Sequence, residues 1–371
     1  MKHRRLLVRQ LGRVEYEDGL SLMRLAADAI RQGAPPEADH LFLLEHPLVL
    51  TLGRGAGRAN IVASPAWLAK RGYEVHETDR GGDVTWHGPG QLVAYPVLEL
   101  GAGLGARRFV EALEEAMVRA CGDFGVAAGR QADHRGAWVG ERKIGAVGVH
   151  LSRGMTSHGL ALNVAVDLQQ FQVIVPCGIA DPRLGVTSLD LELRERGLPA
   201  VDRAAVEERL AHHLAAVLER EAEPAPVEVR SVSVVPVAAD GRVLLLRRSP
   251  SRGGFWQPVT GRIEPGESAG AAARRELREE TGADVPVEPL GYRHAFALDP
   301  ALVPPSRPGL RLCDETAFAA RLPAGFEPRL SDEHVEWEWC EPAAAAARLP
   351  YAGLRRAIRL AESCASLPNL S

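Results

Sequence analysis

The chain has 371 residues, 46% hydrophobic and 25% charged, with a formal net charge of -4. That is the composition of a globular chain long enough for two domains, and it excludes a disordered protein or one with a global basic field for nucleic acid. The start Met-Lys-His-Arg-Arg runs into Arg9 and Arg13 without an apolar core of signal-peptide length, and no later stretch is long enough to span a bilayer. The expectation is a cytoplasmic protein with neither nucleic acid nor membrane as partner.

In chain order, His46-Pro47 and Thr51-Leu52-Gly53-Arg54 come first. The run Arg80-Gly81-Gly82-Asp83-Val84-Thr85-Trp86-His87-Gly88-Pro89-Gly90-Gln91 then sets glycines and a proline around Arg, Thr, Trp and His before a strand. Such a loop brings backbone N–H groups close to a ligand, whereas a plain hairpin needs neither Arg-Gly-Gly nor His-Gly-Pro-Gly-Gln. Phe109, Ala112, Leu113, Ala116, Met117 and Ala120 form the apolar stripe of a helix that ends near Cys121. Next come Lys143 in Gly140-Glu-Arg-Lys-Ile-Gly-Ala-Val-Gly148, a strand with a lysine between glycines, and Ser157-His158-Gly159-Leu160-Ala161-Leu162-Asn163-Val164, where polar residues feed a short buried strand. Val175-Pro176-Cys177-Gly178-Ile179 is a turn able to present a thiol to a cleft. Taken alone, a free cysteine is more often a buried hydrophobe than a nucleophile. Cys121, Cys177, Cys313, Cys340 and Cys364 include no C-x-x-C pair and no histidine at metal spacing, which argues against a disulfide scaffold or a zinc site.

R-G-G-x-x-T-x-H-G-P-G-Q, G-x-K-I-x-x-x-G, H-G-x-A-L-N-V, P-C-G and Thr187-Ser188, in this order, resemble the lipoyl(octanoyl) transferase family over residues 5 to 218. The resemblance implies the biotin/lipoate protein ligase-like fold, an α/β (α+β) arrangement of a mixed sheet flanked by helices. It implies transfer of octanoyl from octanoyl-acyl carrier protein to a lysine of lipoyl domains, those of 2-oxoacid dehydrogenases and the glycine cleavage H protein, through an enzyme thioester. Carried over, Cys177 is the nucleophile and Lys143 the residue that favours its thiolate. The chemistry agrees, since a free thiol near pKa ~8.5 is mostly protonated at neutral pH and a neighbouring ammonium lowers that value. Arg80, Gly81, Gly82, Asp83, Val84, Thr85, Trp86, His87, Ala146, Val147, Gly148, Gly159, Leu160 and Ala161 match the segments lining the acyl pocket, with no cofactor. Backbone N–H groups near Gly178 or Gly148 are candidates for the oxyanion. Arg107, Arg108, Arg130, Arg135 and Arg142 are either a docking patch for an acidic carrier protein or scattered solvated arginines. The rival readings are an ATP-dependent lipoate ligase and a non-catalytic acyl-sensing module; Cys177 and Lys143 favour transfer.

Glu221-Ala-Glu-Pro-Ala-Pro-Val-Glu228 follows a helical pattern and precedes a β-rich run, so domains of 1–222 and 229–371 with a linker at 223–228 are expected. Strands are predicted at Val229–Ala238 and Val243–Arg248. Gly261-Arg262-Ile263-Glu264-Pro265-Gly266-Glu267 then leads to Arg275-Glu276-Leu277-Arg278-Glu279-Glu280-Thr281-Gly282 on a helix from Ser268 to Gly282. Glu276, Glu279 and Glu280 stand at i, i+3 and i+4 on one face, where hard oxygen ligands suit Mg²⁺ or Mn²⁺. The pattern G-x5-E-x7-R-E-U-x-E-E-x-G-U resembles the Nudix box, with Ala283 where the family has a larger aliphatic residue. The resemblance implies an α-β-α sandwich that hydrolyses a small-molecule diphosphate, with Glu276, Glu279 and Glu280 as metal ligands and Glu267 paired to Arg275. Gly254-Phe-Trp-Gln-Pro-Val-Thr-Gly261 resembles, within that group, pyrophosphatases of dihydroneopterin triphosphate or dATP. Glu333, before the strand Val335–Trp339, is the expected further ligand; Arg247 and Thr260 are the expected phosphate contacts, and Asp299 to Leu312 the expected substrate loop. Short helices are predicted at Ala343–Ala347 and Leu354–Ala361. No sequence feature implies channelling, so the two activities are expected to be independent.

Overall fold

The structure, a computed structural model, describes residues 4–33, 38–100, 105–175, 184–299 and 310–365. It divides into two compact units, Met1–Tyr16 with Leu22–Pro226, and Glu17–Ser21 with Val227–Ser371.

The first half of the chain runs through β1 (Arg4–Arg13), α1 (Tyr16–Arg31), β2 (Asp39–Glu45), β3 (Val49–Leu52), α2 (Pro65–Lys70), β4 (Glu74–Glu77), β5 (Val84–His87), β6 (Gln91–Val97) and α3 (Ala106–Asp123). It continues with β7 (Ala137–Val139), β8 (Arg142–Ser152), β9 (Met155–Asn163), β10 (Gly185–Val186), α4 (Leu189–Glu195), α5 (Arg203–Val217) and β11 (Arg220–Pro224). Eight strands make one mixed sheet in the order β10-β8-β9-β6-β2-β1-β11 with β7 on β8, while β4-β3-β5 form a small second sheet. The stripe of α3 that includes Phe109, Leu113, Met117 and Cys121 packs with Leu210 and Leu214 of α5 onto Leu41, Leu43, Leu92 and Leu162 of the large sheet. Each such fully buried aliphatic side chain contributes about 1.5–3 kcal/mol. Trp86, Leu50, Leu68 and Phe171 make a separate core around the small sheet.

One expectation needs correcting. Residues 223 and 224, assigned to the linker, end β11, which lies parallel to β1 from Arg4↔Arg220 to Val8↔Pro224. Charged side chains and a proline belong on such a sheet edge, because they discourage further pairing and the ring has no N–H to offer.

The second half contains β12 (Val229–Val237), β13 (Val243–Arg248), β14 (Trp256–Gln257), β15 (Val259–Arg262), α6 (Ala269–Thr281), β16 (Glu288–Ala297), β17 (Leu312–Arg321), β18 (His334–Cys340), α7 (Pro342–Ala347) and α8 (Ala352–Ala365). Seven strands form a mixed sheet with the order β14-β13-β12-β17-β16, β15 pairing β12 and β18 pairing β13. Alternation along β12 and β13 supplies both faces: Val232, Val234, Leu244 and Leu246 meet α6, whereas Val235, Val237, Val243 and Leu245 meet α7 and α8. The α-β-α sandwich follows. At the start of α6 the Ser268 side chain accepts from Ala271 N at 3.2 Å, and Gly282 closes the helix at φ 78°. Ala283 is buried behind that turn.

Candidate functional site

In the first unit a cavity of about 480 Å³ opens where β5, β8 and β9 converge, a size suited to a small ligand. Residues 80–85 and 87, 146–148 and 159–161 line it, together with Lys143. Its walls are thin by necessity. A Cβ on Gly159 would lie 2.1 Å from the Ala94 carbonyl oxygen, so only glycine lets β9 pass β6 here.

The cavity's polar groups are held by buried bonds. Arg80 is buried; its Nη2 donates to Thr51 O at 2.7 Å and to Thr51 Oγ1 at 2.8 Å, and its Nη1 to Gly81 O at 3.0 Å. His46 Nδ1 is 2.7 Å from Val14 O and its Nε2 2.7 Å from Tyr95 Oη. A carbonyl only accepts, so Nδ1 carries the proton and Nε2 accepts from the phenol. Burial drives His46 down to about 4 and Tyr95 well above 10, which keeps both neutral. His158 has left-handed backbone at φ 59° in the middle of β9, and its Nε2 meets Asp79 Oδ1 at 2.8 Å. Burial lowers the pKa of His158 despite that carboxylate. His87, lowered to about 3 mainly by burial, has its Nδ1 2.7 Å from Gln91 Oε1.

Gln91 Nε2 donates to Asn163 Oδ1 at 3.0 Å, Asn163 Nδ2 to Thr187 O at 3.0 Å, and Thr187 N to Lys143 O at 2.9 Å. The chain of amides thus runs from the cavity to the backbone of Lys143. That lysine is 8% exposed, with Nζ 5.0 Å from the centre of the Trp138 ring. It also lines an adjoining groove of about 350 Å³ with Phe171, Ile174 and Leu184. Cys177 and Gly178 lie outside the described residues.

The second unit has a larger cavity, about 750 Å³, lined by Thr260, Glu276, Glu280 and Glu333 beside Arg248 and Arg252. Glycine makes the polar end possible: a Cβ on Gly261 would fall 1.8 Å from Glu276 Cδ. Glu276 accepts from Arg275 Nη1 at 2.7 Å, and burial raises its pKa. Glu280 is 4% exposed, its Oε2 has no hydrogen-bond partner, and burial followed by the charges of Glu276 and Glu333 raises its pKa well above the carboxylate range. Glu333 is 2.9 Å from Arg252 Nη1, and Thr260 Oγ1 accepts from Gln257 Nε2 at 2.8 Å. Among the described residues no three acidic, histidine or cysteine side chains already stand close enough to hold a metal. Even so, an orphaned buried carboxylate oxygen on Glu280, in a cavity that the carboxylates of Glu276 and Glu333 also line, is hard oxygen chemistry that fits a divalent cation.

Residues 15–215 match the lipoyl protein ligase A/B catalytic domain, and residues 227–360 match the NUDIX domain. The chain is 50% identical to an octanoyltransferase of Myxococcus xanthus over 366 residues, 96% of this chain and 99% of that one. The chain belongs to the octanoyltransferase family. A further octanoyltransferase, from Acidobacterium capsulatum, is 52% identical over 197 residues, 49% of this chain and 78% of the relative. The E. coli dihydroneopterin triphosphate pyrophosphohydrolase structure is similar over 35% of this chain and 92% of that one, with 33% identity and a TM-score of 0.32. The protein is thus an acyltransferase with a lipoate ligase-like N-terminal domain and a Nudix hydrolase domain.

Three expected site residues, Trp86, Arg247 and Glu279, are absent from the cavity walls. In the octanoyltransferase domain Trp86 is absent from the cavity wall: strand alternation turns it to the opposite side of β5 from His87, where its ring packs 4.9 Å from Phe171. In the Nudix domain Arg247 is absent from the cavity wall and binds Glu336 Oε2 at 3.0 Å, because alternation along β13 gives the wall to Arg248 instead. Glu279 is half-exposed on α6, where Arg275 Nη1 contacts it at 3.2 Å. Arg275 also forms the expected pair with Glu267, at 3.0 Å to both oxygens. Most of the expected substrate loop, residues 300–309, lies outside the described residues.

The arginines proposed for docking are largely engaged: Arg107 with Glu111 at 2.9 Å, Arg135 with Glu114 at 3.6 Å and Arg142 with Glu195 at 2.7 Å. Sequence reasoning missed Tyr16, Tyr95 and His158 on the cavity wall. Only His158 carried a signal, its place before Gly159 in a motif already recognised.

Proposed function

We propose that the N-terminal domain moves an octanoyl group from octanoyl-acyl carrier protein to a lipoyl-domain lysine through a thioester on Cys177. One observation carries this reading: Lys143 lies on the wall shared by the small-residue cavity and the groove that Ile174 lines, three residues before Cys177. Three residues of extended chain span at most roughly 11 Å. The Cys177 thiolate attacks the thioester carbonyl, a new S–C bond forms, and the C–S bond to pantetheine breaks. The Lys143 ammonium gives a proton to the departing thiolate. Neutral Lys143 then takes a proton from the lipoyl-domain amine as that nitrogen forms the amide and expels Cys177. Burial of each CH₂ contributes about 0.8 kcal/mol, so the cavity selects chain length through its depth.

The C-terminal domain, in this reading, hydrolyses a nucleoside- or pterin-type diphosphate linkage with Mg²⁺ or Mn²⁺ held by Glu276, Glu280 and Glu333, with Glu279 at the edge. The ion supplies charge neutralisation and polarisation of the phosphoryl group. Arg248 and Arg252 orient the phosphates, and the Thr260 hydroxyl, already accepting from Gln257, has its proton free to donate to a phosphoryl oxygen.

The deciding experiment is intact mass after mixing with octanoyl-acyl carrier protein, beside Cys177→Ala. A gain of one octanoyl group that disappears in the variant is expected. No adduct with a competent donor and rapid quenching overturns the thioester and points to an ATP-dependent ligase or a non-catalytic acyl-sensing module.

A further inference from the structure

Away from its acidic end, the Nudix cavity is walled by apolar side chains, Val229, Phe296, Leu298 and Tyr351, with Phe296 and Tyr351 rings 4.9 Å apart. One carboxylate stands among them. Glu315 of β17 is 3% exposed and lines this cavity. Its Oε2 accepts from Ser231 Oγ at 3.2 Å, and Ser231 Oγ is itself 3.0 Å from Cys313 Sγ. Burial pushes the Cys313 thiol up to about 12, so it stays protonated and serves as the donor to Ser231. Glu315 Oε1 receives no hydrogen bond; His294 Nε2 stands 3.3 Å away without the alignment for one, its ring stacked on Tyr292 at 5.0 Å and Phe296 at 5.3 Å.

A buried carboxylate with an open acceptor is costly, and the cost is recovered only when a donor arrives. Ionised carboxylates accept and never donate, each oxygen keeping two lone pairs. We propose that Glu315 is the specificity residue of the Nudix domain, reading the 2-amino-4-oxopyrimidine edge that guanine and pterins share. That edge sets a ring N–H beside an amino N–H, a match for both carboxylate oxygens at once. Adenine and cytosine put a ring lone pair in place of the N–H, which faces Glu315 with repulsion. The flat ring finds its apolar face on Phe296 and Tyr351.

This inference rests on the reading of the domain as a diphosphate hydrolase, so binding is measured apart from turnover. Full-length protein is titrated calorimetrically with guanosine, neopterin and adenosine, and pyrophosphate release is followed from dGTP, dihydroneopterin triphosphate and dATP with Mg²⁺. The expected result is a preference for guanine or pterin over adenine that Glu315→Gln and Glu315→Asp each reduce by roughly tenfold to a hundredfold, leaving the adenine arm nearly unchanged. Whichever of guanosine or neopterin binds tighter names the natural ring. Adenosine bound equally well, or a preference that survives in a folded variant, overturns the proposal. Selective binding without hydrolysis of any triphosphate sinks the hydrolase reading and leaves Glu315 as the ring reader.

Discussion

Acid should begin to weaken the octanoyltransferase domain at a pH above that of ordinary carboxylate protonation. Burial above all holds His40 at about 3, His46 at about 4 and His87 at about 3 in the folded chain, against about 6.5 when unfolded. Folded values below the unfolded one mean that this stability is complete above pH ~6.5 and is lost as pH falls toward 4 and then 3. At pH 5.5 each histidine has lost about 1.4 kcal/mol, or about 4 kcal/mol for the three, out of a domain stability of about 5–15 kcal/mol. For a domain near 200 residues that lowers the melting temperature by roughly 10 °C. Differential scanning calorimetry of the full chain between pH 7.5 and 5.5 reads it. His40→Gln keeps an acceptor for Arg9 Nη1, which lies 2.9 Å from His40 Nδ1, and should remove about a third of the slope. A melting temperature constant to within a couple of degrees, or ring carbon resonances of these histidines titrating near pH 6.5, would refute the reasoning.

Tyr95→Phe removes the donor that fills His46 Nε2 and should cost about 1–3 kcal/mol in urea unfolding. Trp86→Ala opens the small-sheet core around Phe171 and should cost about 3–5 kcal/mol, an effect on stability expected to exceed any on acyl-chain preference. Glu280→Gln should abolish pyrophosphate release while octanoyl transfer continues. Mg²⁺ should raise the Nudix melting transition in the parent chain and leave that of the variant unmoved, and an equal shift in both would remove Glu280 from the metal site.

The parts that were legible share a physical trait: their chemistry is local. Ser268, Glu276, Glu280 and Gly282 lie within a few helical turns, so cap, acidic face and stop could all be read from spacing. The glycines at 81, 82, 148 and 159 announced close backbone approach, and the structure brings residues from all three segments to one cavity. What spacing could not show was the direction of individual strand residues, hence the exchange of Arg247 for Arg248 and the loss of Trp86 to the core. Nor could it show partners far apart in the chain. Val14, His46 and Tyr95 meet because β2 lies between β1 and β6, and Ser231, His294 and Glu315 because β17 pairs with both β12 and β16. Pairing was also what decided the fate of Arg220–Pro224, where linker-like composition became an edge strand.

The amide chain from His87 to Lys143 suggests how the octanoyltransferase domain fixes its proposed proton carrier. Asn163 is 4% exposed and serves two neighbours, accepting from Gln91 and donating to Thr187 O. Removing its side chain therefore deprives a donor and an acceptor together, at about 1–3 kcal/mol each where both stay dry. Thr187 follows β10, whose Val186 pairs with Lys143 in parallel register, so the loss falls on the short strand that lines the groove beside Lys143. Asn163 touches neither thioester nor amine in this reading and acts by position. Asn163→Ala should lower kcat for octanoyl transfer at least about tenfold, a loss of about 1.4 kcal/mol in the barrier, with KM for the acyl donor within about twofold and the pH profile unshifted. If KM rises while kcat holds, the network shapes the acyl cavity rather than the lysine, and the connection from Asn163 through Thr187 to Lys143 carries no catalytic weight.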